Sequence, residues 1–272
     1  MLELLQYEFM QRALLGGLLI AISSSLIGVF LVLRRLSLLG DSLAHASFGG
    51  IAIGIVAGVN PFISALVLVG ALSLGLDRLI NKIKLYGESA IAIVLSFGMA
   101  TALLLISIVD RLNSTIFSYL FGSLLTISWN DVYIMIGVLI CVLLFYYKYY
   151  SLLLYSTFNR EVAIVKDKRT YFVEKVFLVL SALVVVISIK AVGVLLISAL
   201  LVIPSLIGLK LAQSMKMTLI IATVSSIIGI YGGIVIAYLF DLPIGGVIVM
   251  SLIVLFTLSF GVEYLKSSRR TY

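Results

Sequence analysis

Apolar residues run along this chain in long blocks, separated by short clusters of polar ones. A stretch such as VFLVLSALVVVISI, residues 176–189, shows neither strand alternation nor a narrow amphipathic stripe. A helix crossing a bilayer core of about 30 Å needs about 20 such residues. Nine blocks meet that description, near 9–33, 41–58, 61–80, 89–109, 131–147, 171–189, 191–208, 217–239 and 243–264. The seventh is short and reaches Pro204, so eight spans remain possible. The alternating ten-residue segments of a membrane barrel are absent. The expected fold is therefore all-α, a polytopic membrane helical bundle of eight or nine transmembrane helices.

Polar positions orient these helices. Arg34 and Arg35 follow the first block, and Arg78, Lys82 and Lys84 follow the third. Lys148, Arg160, Lys166, Lys168, Arg169 and Lys175 cluster around the fifth connection, Lys210 and Lys216 around the seventh. Lys266, Arg269 and Arg270 close the chain. These make sixteen of the nineteen basic residues, leaving Arg12, Arg111 and Lys190 for the other side. The positive-inside bias then predicts the N-terminus outside, the C-terminus in the cytoplasm and an odd number of spans. The external connection 110–130 has an apolar middle, expected to dip back onto the membrane. Residues 148–170 read as a basic cytoplasmic loop.

Composition agrees: 62% of the 272 residues are hydrophobic and 11% charged, against about a quarter charged in soluble chains. No loop is long enough for a second domain, so residues 1–272 form one transmembrane unit. The net charge of +7 reports basic loops rather than nucleic-acid binding. The single cysteine, Cys141, has no partner for a disulfide or thiolate site and reads as buried core. The N-terminal MLELLQYEFMQRALLGG lacks a basic leader and reads as the approach to the first span. GGIAIGIVAGVNPFISALVLV and GGIVIAYLFDLPIGGVIVMSL echo each other as Gly-rich helical hairpins.

Candidate chemistry concentrates in GDSLAH, residues 40–45. Asp41 and His45, the only histidine, are four residues apart and share one helix face. Gly49 and Ala52 continue that face, while Gly50, Gly54 and Gly58 form an opposed stripe suited to close helix packing. An aspartate at the centre of a span costs about 2.5–3.5 kcal/mol on insertion scales and marks ion or proton pathways. Carboxylate with imidazole suits zinc, manganese or iron, but one pair supplies too few ligands; a two-fold dimer would supply four. The competing reading makes Asp41 the N-cap of the second span, paired with Arg34 or Arg35, and His45 a hydrogen-bonded core residue. Residue chemistry alone leaves the two readings level.

In ALLVIPSLIGLKLAQSMK, residues 199–216, Pro204 is expected to end a span or start a new helix, leaving 205–215 as a short cytoplasmic helix. The chain has no phosphate-binding loop, no HExxH and no GxSxG, so uphill transport on ATP would need another subunit.

Four stretches, GVFLVLRRLSLLGDSLAHASFGGIAIG, GESAIAIVLSFGMATALLLIS, YLFGSLLTISWND and IKAVGVLLISALLVIPSLIGLKLA, occur in that order. Together they resemble the permease subunits of ABC importers for zinc, manganese or iron(II), a type II importer-like architecture, over nearly the whole chain. The resemblance implies a homodimeric pore in the cell membrane, two cytoplasmic ATPase subunits that use ATP, and an extracytoplasmic metal-binding protein. It implies no permanently bound cofactor, the metal being cargo. It assigns Asp41 and His45 to metal passage or gating. It also assigns residues 205–215 to ATPase coupling, with Pro204, Ser205, Leu206, Gly208, Leu209, Lys210 and Gln213 as contact candidates. SFGG at 47–50 departs from the Pro-Gly turn of many members, which puts a helix break there in doubt. Alternatives are a cobalamin or siderophore permease, a proton-coupled secondary transporter using Asp41 and His45 as a relay, and, least supported, an intramembrane enzyme.

Overall fold

A computed structural model describes residues 7–108, 119–122 and 124–268. The helices are α1 (Glu8–Leu33), α2 (Leu39–Val56), α3 (Pro61–Asn81), α4 (Gly87–Ile108), α5 (Trp129–Phe158), α6 (Arg160–Lys166), α7 (Thr170–Val192), α8 (Ile197–Leu211), α9 (Met215–Phe240) and α10 (Ile244–Ser268). A 3-10 turn spans Leu124–Thr126, and no strand occurs among the described residues. Eight helices are long and apolar enough to cross a membrane, and α8, with 15 residues, is not.

The α7–α8 junction explains why the seventh apolar block yields a short helix. Gly193, with φ +87°, ends α7 in a conformation that favours glycine. The backbone then leaves the helix, and the Val194 N–H donates to the Tyr119 carbonyl at 3.1 Å. Gly122 (φ +64°) and Gly193 approach so closely that a Cβ on either would overlap the other's backbone. Deep in the bundle, Gly28 of α1 packs against the Leu201 carbonyl and the Ser205 hydroxyl. That contact lies 20 residues into α1 but only a turn or two into α8. So α8 starts roughly half-way along α1 at 1.5 Å per residue. Irregular backbone at membrane depth is tolerated where protein covers it, and Gly193 and Val194 are buried. Among the described residues, eight helices are long enough to cross a membrane, and α8 packs beside them as a half-length apolar helix.

Pro204 lies inside α8 rather than at its boundary. Proline removes one N–H from the helix ladder, but packing against α1 and α9 holds the helix through it: Gly208 lies 2.5 Å, at Cβ, from the Thr218 carbonyl. Helix therefore stops at Leu211, and no separate helix forms over 205–215. The expected loop 148–170 is also mostly helical. α5 continues to Phe158, and α6 starts under Asn159, whose side chain accepts from the Val162 N–H. The middle of the 110–130 connection lies partly outside the described residues. Its described part, with Leu124 and Ile127 buried, tucks against α1 and the α7–α8 junction. Cys141 is exposed on the surface of α5, not in the core.

α1 and α7 form the centre. Phe30 makes edge-on contacts with Tyr146, Tyr150 and Phe177, and the Tyr146 hydroxyl donates to the Leu26 carbonyl at 2.7 Å. The echoed hairpins are both real: Gly50 and Gly54 clasp α3, and Gly233 clasps Ile248 of α10. The α1 start and the α10 end lie at opposite ends of the bundle. The end holding the α1–α2 turn, α6 and the α8–α9 turn is called the basic end below.

Candidate metal-translocation face

α2 is gripped on two sides by small residues. A Cβ at Gly50 would lie 2.6 Å from the Ala65 Cα, and one at Gly54 would lie 2.6 Å from the Pro61 Cα. A Cβ at Gly98 of α4 would lie 2.5 Å from the Ala46 N and Cα and 2.7 Å from the His45 carbonyl carbon. These close approaches leave one stripe of α2 uncovered, and Asp41 and His45 stand on it. They are the only residues from Leu39 to Ala52 that are not buried. Gly49 does not continue the stripe; it faces α4, where a Cβ on it would lie 2.8 Å from the Gly98 carbonyl oxygen. Gly58 lies beyond α2, at φ +69° in the turn to α3. With SFGG in place of a Pro-Gly turn, α2 runs unbroken through 47–50.

The capping alternative fails on geometry. Leu38 occupies the N-cap without a side-chain cap, and Asp41 lies within the first turn. Arg34 points elsewhere. Its Nε donates to the Thr157 hydroxyl at 3.0 Å, an η nitrogen donates to Ser156, and Glu174 lies 3.9 Å away. Burial lowers the Arg34 pKa, with Glu174 opposing the shift. No ion pair joins Asp41 to either arginine among the described residues.

His45 Nε2 lies 3.7 Å from Asp41 Oδ1, near enough to share a cation but too long for a hydrogen bond. The side chains are 14% and 32% exposed. His45 Nδ1 is buried without a hydrogen-bond partner. The α2–α3 register fixes the depth. Continuing the Gly50–Ala65 and Gly54–Pro61 pairing puts His45 level with Gly70, half-way along α3. Asp41 then falls level with Leu74, about 10 Å from the basic end of α3. The apolar connection LSLLG turns back into the protein, as Leu36 packing against the core shows. Sequence reasoning missed Ser198. Its buried hydroxyl on the first turn of α8 has no partner and lies 3.7 Å from a Cβ placed at Gly40. A serine in an apolar run carries no signature that would single it out.

Among the described residues no three His, Cys, Asp or Glu side chains gather into a metal cluster. One chain thus offers a carboxylate and an imidazole on an open face. The coupling candidates divide: Pro204, Ser205 and Gly208 are buried packing residues, whereas Leu206, Leu209 and Lys210 are half-buried and Gln213 is exposed.

A bundle of apolar helices whose uncovered face carries two ionisable groups fits the architecture of a membrane permease. The sequence matches the ABC 3 transport family over residues 6–263, and the chain belongs to that family. It is 31% identical over 261 residues to the manganese transport system membrane protein MntC of Listeria monocytogenes, covering 94% of this chain and 91% of that protein. It is 30% identical over 254 residues to the high-affinity zinc uptake system membrane protein ZnuB of Haemophilus influenzae, covering 93% and 97%. A chain of PsaBC from Streptococcus pneumoniae, solved with a Fab, superposes with a TM-score of 0.84 at 28% identity, covering 95% and 94%.

Proposed function

We propose that this chain is the membrane permease of an ATP-binding-cassette importer for a divalent transition-metal ion, with Asp41 and His45 as transient ligands on the path. The observation that carries this reading is the open stripe of α2. A carboxylate and an imidazole with an unpartnered Nδ1 stand there within the bundle, in a family whose relatives include manganese and zinc transport proteins. Two such stripes facing across a two-fold axis would bring two carboxylates and two imidazoles together, a donor set suited to manganese, iron or zinc. Only two donors from each chain would hold the ion weakly enough to release it.

The basic end is cytoplasmic in this reading, by the positive-inside rule. Two ATPase subunits bind there, meeting Leu206, Leu209, Lys210 and Gln213. Pro204, Ser205 and Gly208 support that surface from beneath. A metal-binding protein delivers the ion to the opposite end, and the ATPase alone hydrolyses ATP. The test is uptake of radioactive manganese and zinc into proteoliposomes holding the full complex. Uptake is expected to require ATP and the ATPase, and to be competed by free divalent metal. Uptake that persists without the ATPase would instead identify a secondary transporter.

A further inference from the structure

We propose that the basic end carries a second site, a pocket that binds a phosphate ester, with the headgroup of an anionic phospholipid as the favoured source. A cavity of about 480 Å³ opens between the α1–α2 turn, the ends of α3 and α4, the α5–α6 junction and α7. That volume lies in the range of small-ligand sites. Arg34, Arg35 and Arg160 line it, together with Asp77 and Glu174.

Both carboxylates are already matched. Glu174 accepts from Arg160 Nε at 3.0 and 3.1 Å and lies 3.9 Å from Arg34. Asp77 accepts from Asn81 and lies 3.8 Å from Lys175. Three arginines and two carboxylates therefore line the cavity, and with Lys175 beside Asp77 the balance is an excess of positive charge suited to a phosphate. Arg160 is held in place by Glu174 and by the Tyr171 ring, 5.6 Å below its guanidinium carbon. Its NH2 nitrogen is nevertheless buried with no hydrogen-bond partner. A buried cationic donor without an acceptor is unfavourable, and a phosphate oxygen is the acceptor a guanidinium fork fits best. Arg35, exposed at the mouth, adopts φ +58°, a conformation uncommon for a side-chain-bearing residue.

Apolar Leu36 and Phe158 complete the wall, beside the turn after α1 and the end of α5. Basic pockets between helices at the cytoplasmic boundary hold anionic headgroups in this manner. Neither Asp41 nor His45 lines the cavity, so the site stands apart from the translocation face.

The experiment uses the full chain in nanodiscs of phosphatidylcholine, with or without phosphatidylglycerol, and a third arm of phosphatidylcholine with inorganic phosphate. Thermal midpoint and phosphatidylglycerol retained after detergent washing are measured. The variants are Arg35→Gln, the double variant Arg35→Gln/Arg160→Gln, and Lys216→Gln as a distant control on the same end. Phosphatidylglycerol is expected to raise the midpoint, and the double variant to lose about tenfold in retained lipid, as loss of charge-assisted contacts implies. Arg35→Gln, which removes no internal ion pair, separates lost binding from misfolding and should show a smaller loss in the same direction. Stabilisation by inorganic phosphate alone, with the same variant pattern, would support the site with a soluble phosphate as its source. No stabilisation by either, or an equal loss in Lys216→Gln, would overturn it.

Discussion

Gly98→Ala tests whether the α2–α4 contact sets the position of His45. The added Cβ would sit 2.5 Å from the Ala46 N and Cα and 2.7 Å from the His45 carbonyl carbon. Carbon contacts are most favourable at about 3.5–4.0 Å, so the helices must part by about 1 Å. All the obstructing atoms are backbone, so no side-chain rotation relieves the clash. Overpacking of this kind costs about 1–3 kcal/mol. Replacing a helical glycine by alanine returns about 0.5–1 kcal/mol through backbone entropy. Gly75→Ala on α3 isolates that gain, since nothing lies within 4 Å of its Cβ. Thermal unfolding in detergent should therefore place Gly98→Ala below Gly75→Ala by about 1–3 kcal/mol, or about 2–4 °C for each kcal/mol. Metal uptake should fall in Gly98→Ala and stay near native in Gly75→Ala. Equal stability and equal uptake of the two variants would refute the close-approach reasoning.

Lys190→Met leaves Asp131 of α5 without the lysine that bonds it, and thermal unfolding should show a loss of about 1–3 kcal/mol. Adding Asp131→Asn should recover part of that loss, because the uncompensated charge is then gone. Gly193→Ala forces φ +87° on a side-chain-bearing residue and sets its Cβ against the Leu120 carbonyl. Its thermal stability should fall by about 1–3 kcal/mol. Gln213→Glu in the exposed turn after α8 should weaken co-purification of the ATPase without shifting the thermal midpoint. Gly208→Leu, by contrast, should destabilise the chain itself by meeting the Thr218 carbonyl.

Much of the fold was legible because membrane insertion leaves a strong linear signal. Each long helix falls on an apolar block, and the opposed Gly50 and Gly54 stripe marks a packed face. The sequence misled where packing overrode local preference. Pro204 looks like a boundary, yet contacts with Gly28 and Thr218, remote in sequence, keep α8 helical through it. Lys148 looks like the start of a loop, but no stop signal precedes Asn159, so α5 continues. The helical periodicity located Asp41 and His45 on one face. It could not decide whether Arg34 neutralised them, because its partners Ser156, Thr157 and Glu174 lie more than a hundred residues away. Depth was equally illegible, since it depends on how the LSLLG connection folds back and on the register with α3.

Initial rates of metal uptake by the reconstituted complex carrying Asp41→Ala or His45→Ala test the metal path most directly, with ATPase binding and thermal stability measured on the same preparations. Loss of uptake in both variants, with the ATPase still bound and the fold intact, is the result expected of ligands on the path. Undiminished uptake in both would contradict it.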